Sequence, residues 1–283
     1  MIIRQKIRGK KKYYYLEHST RKNNRIIKKE KYLGTDIPKD IDKIKEEFFK
    51  ELKIELYKRL EKIRKNFQEE WKKTPESARE KELEEISIVF TYNTNAIEGS
   101  TITLEEAREI IQENLAPNKS LRDIKETENH SRVFLGMLKS KEKITKKLLL
   151  NWHQKIFGET KPDISGKFRD YLVRVGPYIA PDWQDVDSLM DNLISLINNS
   201  KLNPVELAAR AHYKFESIHP FGDGNGRIGR LLMNYLLWNA GYPMIIIEYN
   251  KRASYYKAFP KGQEAFVDYL LRRYISVYKK RLR

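Results

Sequence analysis

A mainly α-helical fold with a minor β component follows from three features of the sequence. Apolar residues recur at spacings of three and four through most of residues 37–240. Short β-branched and aromatic runs are confined to residues 2–33 and to one glycine-bounded stretch around residue 175. Helix-start and helix-stop residues punctuate the rest. The expected architecture is a helical core carrying a short β-hairpin, preceded by further helices and a small basic β-rich N-terminal segment.

The elements follow in order. "IIRQKIRG", "KKYYYLEHS" and "NRIIKKEKYLG" read as a meander of strands, broken at Gly9, Asn23-Asn24 and Gly34. "TDIPKD" leads into a long amphipathic helix marked by Ile41, Ile44, Phe48, Leu52, Leu56, Leu60, Ile63, Phe67 and Trp71, which Thr74-Pro75 ends. A second helix runs from about Ser77 to Gly99, a residue suited to a left-handed C-cap. Thr103 with Glu106 forms a capping box for the next. Helices continue through "ENHSRVFLGMLKS" and "TKKLLLNWHQKIFG", and "GKFRDYLVRVGPYIAP" alternates as a hairpin does. They resume at "VDSLMDNLISLINN", "NPVELAARAHYKFESI" and "NGRIGRLLMNYLLWNAG", with Gly241-Tyr242-Pro243 as a stop. Four regions are expected: residues 1–36, basic and β-rich; 37–142, helical; 143–276, a helical domain carrying the hairpin; and 277–283, a basic tail.

A chain of 283 residues, 40% apolar and 11% aromatic, is long enough to bury a real core. With no cysteine there are no disulfides, thiolate metal sites or cysteine nucleophiles in it. None of the five histidines falls in an HExxH pattern. The N-terminus lacks the apolar stretch of a signal peptide, and the longest apolar run, around "PMIII", is too short to span a bilayer. The expectation is a soluble cytoplasmic protein with no membrane contact. The net charge of +17 is uneven: residues 1–35 hold twelve Lys/Arg against two Glu, a net +10. Such asymmetry suits either an acidic partner such as nucleic acid or a solvated basic face.

The richest stretch is "HPFGDGNGRIGR", His219 to Arg230, with four glycines in twelve residues. Gly224, Gly226 and Gly229 match a dinucleotide fingerprint, and Glu248 sits where a ribose-binding acid belongs. That loop must follow a buried parallel strand, whereas Leu207, Ala208, Ala211 and Phe215 before it recur at helical spacing. A helix–loop–helix remains, in which glycines let backbone amides at a helix N-terminus approach anionic oxygens. Arg227 and Arg230, three apart, project beside the same anion, which suits a polyphosphate. Asp223 offers a hard oxygen ligand for Mg²⁺, and His219 a general base. No GxxxxGK[ST] is present. His212, seven residues before His219, lacks a third metal ligand and reads as structural, as do His18, His130 and His153.

These twelve residues satisfy every position of the HPFx[DE]GNGRxxR motif, so the chain resembles the Fic (Fido) family of protein adenylyltransferases. The resemblance runs over about residues 143–276, through "GKFRDYLVRVGPYIAP", "AGYPMIII" and "RASYY". It implies that His219 deprotonates a target hydroxyl that attacks the α-phosphate of ATP. It further implies that Asp223 holds Mg²⁺, that Gly224, Asn225 and Gly226 form the anion hole, and that Arg227 and Arg230 hold the β- and γ-phosphates. Ile228 and Gly229 complete the nucleotide-binding stretch, with Phe221 as a core anchor. Val175, Gly176, Pro177 and Tyr178 of the flap match positions lining the nucleotide, Tyr255 and Tyr256 match adenosine-contacting positions, and Gln263 stands where asparagine is usual. The flap edge would align a target segment by main-chain pairing.

About 120 residues upstream, "TNAIEG" matches the family's regulatory [S/T]xxxE[G/N] motif through Thr94, Glu98 and Gly99. The resemblance implies that the Glu98 carboxylate pairs with Arg230 and keeps ATP out of line. The expected function is therefore autoinhibited transfer of AMP to a Tyr, Ser or Thr hydroxyl of a target protein. Three alternatives stand beside it: AMP removal by the same site, use of another phosphate-bearing donor, and a DNA-binding regulator with this core as its sensor. Expected partners are the target protein, a second copy in a homodimer, and nucleic acid on the basic N-terminal segment.

Overall fold

Alternation along the N-terminal strands decides what the sheet buries. In the computed structural model, which describes residues 2–9, 11–22 and 25–282, β1 (Ile2–Arg8), β2 (Lys11–Lys22) and β3 (Arg25–Gly34) form an antiparallel sheet in that order. The turn expected at Asn23-Asn24 lies outside the described residues. Ile3 faces Leu16, and Leu16 faces Lys31, with a register shift between Tyr14 and Tyr15. Because successive side chains point to opposite faces, Tyr14, Leu16 and Leu33 share one face. They pack there with Ile41, Ile44, Phe48 and Leu52 of α1 (Ile41–Lys73). Lys29 pairs with Glu55, and Lys31 with Glu51 at 3.2 Å, on the same helix.

The chain divides into two compact units, Met1–Glu61 and Lys62–Arg283. The division falls within α1, beyond the residue-36 limit of the basic segment, because the sheet's apolar face needs the first turns of that helix to cover it.

In the second unit α2 (Glu76–Ile97) ends at Glu98, with Gly99 at φ 92°, the left-handed stop the sequence predicts. Thr103 caps α3 (Leu104–Arg108) with the expected reciprocal box: the Thr103 amide donates to Glu106 Oε2 at 2.8 Å and the Glu106 amide to Thr103 Oγ1 at 3.2 Å. A π-helical turn, Glu109–Glu113, follows. Next come α4 (Leu121–Lys139), α5 (Lys146–Phe157), the hairpin β4 (Arg174–Val175) and β5 (Tyr178–Ile179), α6 (Val186–Asn199), α7 (Pro204–Ile218), α8 (Asn225–Asn239), α9 (Arg252–Tyr256) and α10 (Gln263–Val277). Between α8 and α9 the apolar "MIII" forms no strand: the Asn234 side chain receives the Ile245 amide at 2.8 Å and donates to its carbonyl at 3.0 Å, taking the place of a partner strand.

The α7–α8 pair is central. Phe215, Phe221, Ile228, Leu231 and Leu232 are fully buried and join Phe134 of α4, Phe157 of α5 and Met190 of α6 in one apolar cluster. The six residues linking α7 to α8 are thus held at both ends by core helices. No helix among the described residues is long and apolar enough to cross a membrane.

Candidate active site

His219 ends α7 in the left-handed conformation, φ 51° and ψ 59°. Such a backbone is uncommon for a side chain this size and must be over-determined by its surroundings. Arg169 supplies part of that. Although only 4% exposed, it donates from Nε to the His219 carbonyl at 2.8 Å, and from its other nitrogens to Tyr171 O and Pro181 O at 2.8 and 2.6 Å. The base of the hairpin is thereby tied to the loop. Burial lowers the His219 pKa, partly offset by a hydrogen bond to the Glu216 backbone. The imidazole is therefore neutral at pH 7, the form that can accept a proton.

Beyond His219 the loop closes on itself. Asn225, 2% exposed, accepts from the Phe221 amide and donates to the Phe221 carbonyl, both at 2.8 Å. Its side chain is therefore structural. The Ile228 amide makes the first α8 bond, to Gly224 O at 3.0 Å. The amides of Asn225, Gly226 and Arg227 precede it, in the turn where a helix offers no carbonyl, and form a ready anion site. Gly224 starts the helix at φ 78°, and a Cβ there would strike the Phe157 ring. At Gly226 a Cβ would collide with Glu98 Oε1, so glycine is what lets that carboxylate reach the helix start.

The two arginines of the motif are held by different helices. Arg230, 2% exposed, donates from Nε to Thr94 Oγ1 at 2.6 Å, and from Nη2 to Thr94 O at 3.1 Å and to Glu98 Oε1 at 2.7 Å. Burial is the largest single influence and opposes its charge, but the acidic groups around it, Glu98 foremost, together overcome burial and the net shift is upward. Arg227 turns to α4 instead. It pairs with the buried Glu126 and lies over the Phe157 ring at 4.3 Å. The convergence of both guanidinium groups on one point, expected from their spacing, gives way to two separately anchored cations.

Asp223 is the most accessible of these carboxyls, its side chain 43% exposed, and Lys161 Nζ stands 2.6 Å from Oδ2. Lys161 also reaches Glu126 Oε1 at 2.9 Å. Burial raises both carboxyl pKa values, but the surrounding cations overcome it, Lys161 foremost for Asp223 and Arg227 for Glu126, and each falls to about 2. Asp223 is thus ionised at any physiological pH. A single hard carboxylate at the edge of a phosphate cradle suits Mg²⁺, which keeps most of its shell as water and phosphate oxygens. The described residues contain no preformed cluster of three or more metal-binding side chains.

The hairpin turns through Gly176-Pro177, glycine first, as a tight two-residue connection favours. Val175 and Tyr178 are 45% and 44% exposed, and the Tyr178 hydroxyl donates to Ser217 O at 2.7 Å, docking the flap beside His219. Tyr256 is also open, at 47%. Tyr255, by contrast, is buried, its hydroxyl 2.7 Å from His212 Nε2. Gln263 opens α10, half-buried. Ile228 and Gly229 lie inside the α7–α8 contact; a Cβ on Gly229 would press on Glu216 and His212.

Four contributors escaped the sequence reading: Arg169, Lys161, Glu126 and the role of His153. The last accepts from the Gly166 amide at Nδ1 and donates from Nε2 to Asp223 O, both at 3.0 Å, while stacking on Phe221 at 3.9 Å. Its structural assignment stands, yet it positions the loop. For Glu126 a signal existed: it precedes His130 and Phe134 by four and eight residues, a charge on the helix's buried stripe.

The model of the Fic/DOC family matches residues 143–237. The protein adenylyltransferase Fic of Drosophila ananassae is 40% identical over 178 residues, covering 58% of this chain and 35% of that protein. Its counterpart from Drosophila virilis is 39% identical over 178 residues, 58% of this chain and 36% of that one. The chain therefore spans about a third of the length of these curated relatives. Among solved structures, Fic-1 from C. elegans superposes with a TM-score of 0.69 at 26% identity, over 83% of this chain and 72% of that chain. A Fic domain containing signaling protein from Bacteroides thetaiotaomicron gives 0.69 at 24% identity, over 80% and 95%, a likeness of fold.

Proposed function

We propose, from the match of residues 143–237 to the Fic/DOC family, that the chain is a protein adenylyltransferase that moves AMP from ATP to a Tyr, Ser or Thr hydroxyl of a target protein, restrained by Glu98. The observation that carries this reading is the turn joining α7 to α8. It brings a neutral imidazole, His219, and the free amides of a helix start within six residues.

ATP lays its phosphates on the amides of Asn225, Gly226 and Arg227. His219 takes the proton as the target hydroxyl oxygen bonds to the α-phosphorus, and the bond from that phosphorus to the bridging oxygen breaks, releasing diphosphate. The developing equatorial charge meets donors already oriented by the helix, which need no reorganisation. Asp223 would hold Mg²⁺, whose chemistry there is to neutralise the phosphate oxygens. Val175, Tyr178 and Tyr256, all open on this side, are the side chains available to the base, while Tyr255 supports them from the core through His212. Arg230 is the γ-phosphate's partner, and in the resting protein Glu98 and Thr94 occupy it.

A second reading is favoured by one observation. Only Oε1 of Glu98 engages Arg230, and its side chain is 29% exposed. The other oxygen could hold a water for removal of AMP from a modified protein.

The test is His219→Ala. ATP binding should stay within about twofold, while transfer falls on the order of 10²–10⁴-fold, the usual contribution of a positioned general base. Wild-type transfer by this variant would remove His219 from the reaction.

A further inference from the structure

The N-terminal sheet has a second face that the core does not use. Tyr14, Leu16 and Leu33 point to α1, so the alternate positions point away. Register places Arg4 opposite Tyr15 and Lys6 opposite Tyr13. It places Tyr15 opposite Tyr32, Glu17 opposite Glu30 and Ser19 opposite Lys28. Arg8 and Lys11, also a facing pair, continue the row.

Three tyrosines thus lie side by side across neighbouring strands: the Tyr15 and Tyr32 rings are 5.3 Å apart, and those of Tyr13 and Tyr32 6.3 Å. Tyr32 is 54% exposed. Around them stand Arg4, Lys6, Arg8, Lys11 and Lys28, against Glu17 and Glu30. Glu17 takes Arg4 at 3.1 Å and Lys28 at 3.5 Å, and Glu30 takes Lys6 at 2.6 Å. The Lys6–Glu30 pair is part-exposed and worth about 0–1 kcal/mol, so a polyanion can displace it. Glu17 is 2% exposed and keeps its two pairs, while the Arg4 and Lys28 side chains remain 47% and 44% exposed and can face a phosphate as well. Arg8 and Lys11 have no ion pair among the described residues. On the opposite face Lys29 pairs with Glu55 and Lys31 with Glu51 of α1. The three neighbouring tyrosines and the unpaired Arg8 and Lys11 therefore lie on one side of the sheet.

We propose that this outward face binds a single-stranded polynucleotide, with bases stacked on Tyr32 and its neighbours Tyr13 and Tyr15, and phosphates on Arg4, Arg8, Lys11 and Lys28. Aromatic rings flanked by cations are what an unpaired strand recognises, since every base offers a π-face. A duplex hides those faces within its stack and would engage only the charges. The ligand class is a flexible phosphodiester strand with free bases, RNA or DNA.

The test is anisotropy of fluorescein-labelled oligo(U) and oligo(dT) with the full chain across a potassium chloride series, with unlabelled duplex DNA and heparin as competitors. Four phosphate contacts give a log–log salt slope of about −3, from roughly 0.7 per contact on a single strand. Arg8→Ala/Lys11→Ala should reduce the slope by about 1.4. Tyr32→Ala should weaken binding by about fivefold or more, the low end for loss of one stacked base, and Tyr32→Trp should restore it. Preference between the two oligonucleotides identifies the sugar and supports the proposal either way. Absence of binding at low salt overturns it. So does equal competition by duplex or heparin together with an unaffected Tyr32→Ala, since the face would then be a general polyanion surface.

Discussion

Replacing Glu98 by glycine removes one carboxylate and leaves Arg230 with Thr94 alone. The lost contact is a charge-assisted hydrogen bond of 2.7 Å between a guanidinium 2% exposed and a carboxylate 29% exposed. Hydrogen bonds to charged groups contribute about 1.5–3 kcal/mol, and the partial exposure of Glu98 places this one near the lower end. At 1.4 kcal/mol per factor of ten, release of Arg230 to the γ-phosphate should raise AMP transfer about ten- to thirtyfold. Glycine also fits sterically, since Glu98 is the last residue before the left-handed Gly99. The assay is the initial rate of labelled AMP incorporation at saturating ATP and Mg²⁺, for the wild type, Glu98→Gly, Glu98→Gln and the double variant Glu98→Gly/Arg230→Ala. Glu98→Gln, which keeps a neutral hydrogen bond, should fall between the first two. The double variant should return to low activity, because the two side chains act as one unit. If the double variant were as active as Glu98→Gly, the restraint would not act through Arg230. If neither variant changed AMP addition or removal, Glu98 would be an ordinary helix end.

Three further outcomes follow from the titratable groups around the loop. Asp223→Ala should abolish metal-dependent tightening of ATP binding in calorimetric titration. Lys161→Met, which frees the same carboxylate from its 2.6 Å partner, should strengthen Mn²⁺ binding measured by electron paramagnetic resonance without nucleotide. Unchanged metal dependence in the Asp223 variant would remove that residue from the role. Glu216 is mostly buried, and burial raises its pKa from 4.5 to about 8. The folded chain then holds a proton that the unfolded chain has lost between those values, so this group's contribution to stability declines as pH rises from 4.5 towards 8 and levels off above. Glu216→Gln should flatten that decline and raise the melting temperature most near pH 8. A parallel pH profile for the two proteins would mean that Glu216 is ionised in the fold.

Local chemistry was the legible part of this molecule. Thr103 and Glu106 announce their capping box, Gly99 its left-handed stop, and the glycines after His219 a helix N-terminus, because each is determined within four residues. The resemblance-based pairing of Glu98 with Arg230 was also accessible, since two short motifs named both partners before any distance was known. What stayed hidden were pairings set by tertiary packing. Glu126 lies 101 residues from Arg227; its place on the buried stripe of α4 marks it as a charge needing a partner, but nothing in "DIKETENH" names that partner. Arg169 looks like one more cation in a basic chain, yet it is buried and spends its donors on three loop carbonyls. The extent of the first unit was hidden for the same reason: periodicity marks α1 as one helix but does not say that a sheet occupies the face of its first turns.

The most direct test of AMP transfer is to give the Glu98→Gly protein and a cell lysate ATP labelled at the α-phosphate in one reaction and at the γ-phosphate in another. Label on protein is then followed after denaturing electrophoresis. The expected result is covalent label from α-labelled ATP only, on Tyr, Ser or Thr by mass spectrometry, with diphosphate released and the signal lost in Glu98→Gly/His219→Ala. Label from the γ-phosphate, or α-label that persists without His219, would contradict AMP transfer by this site.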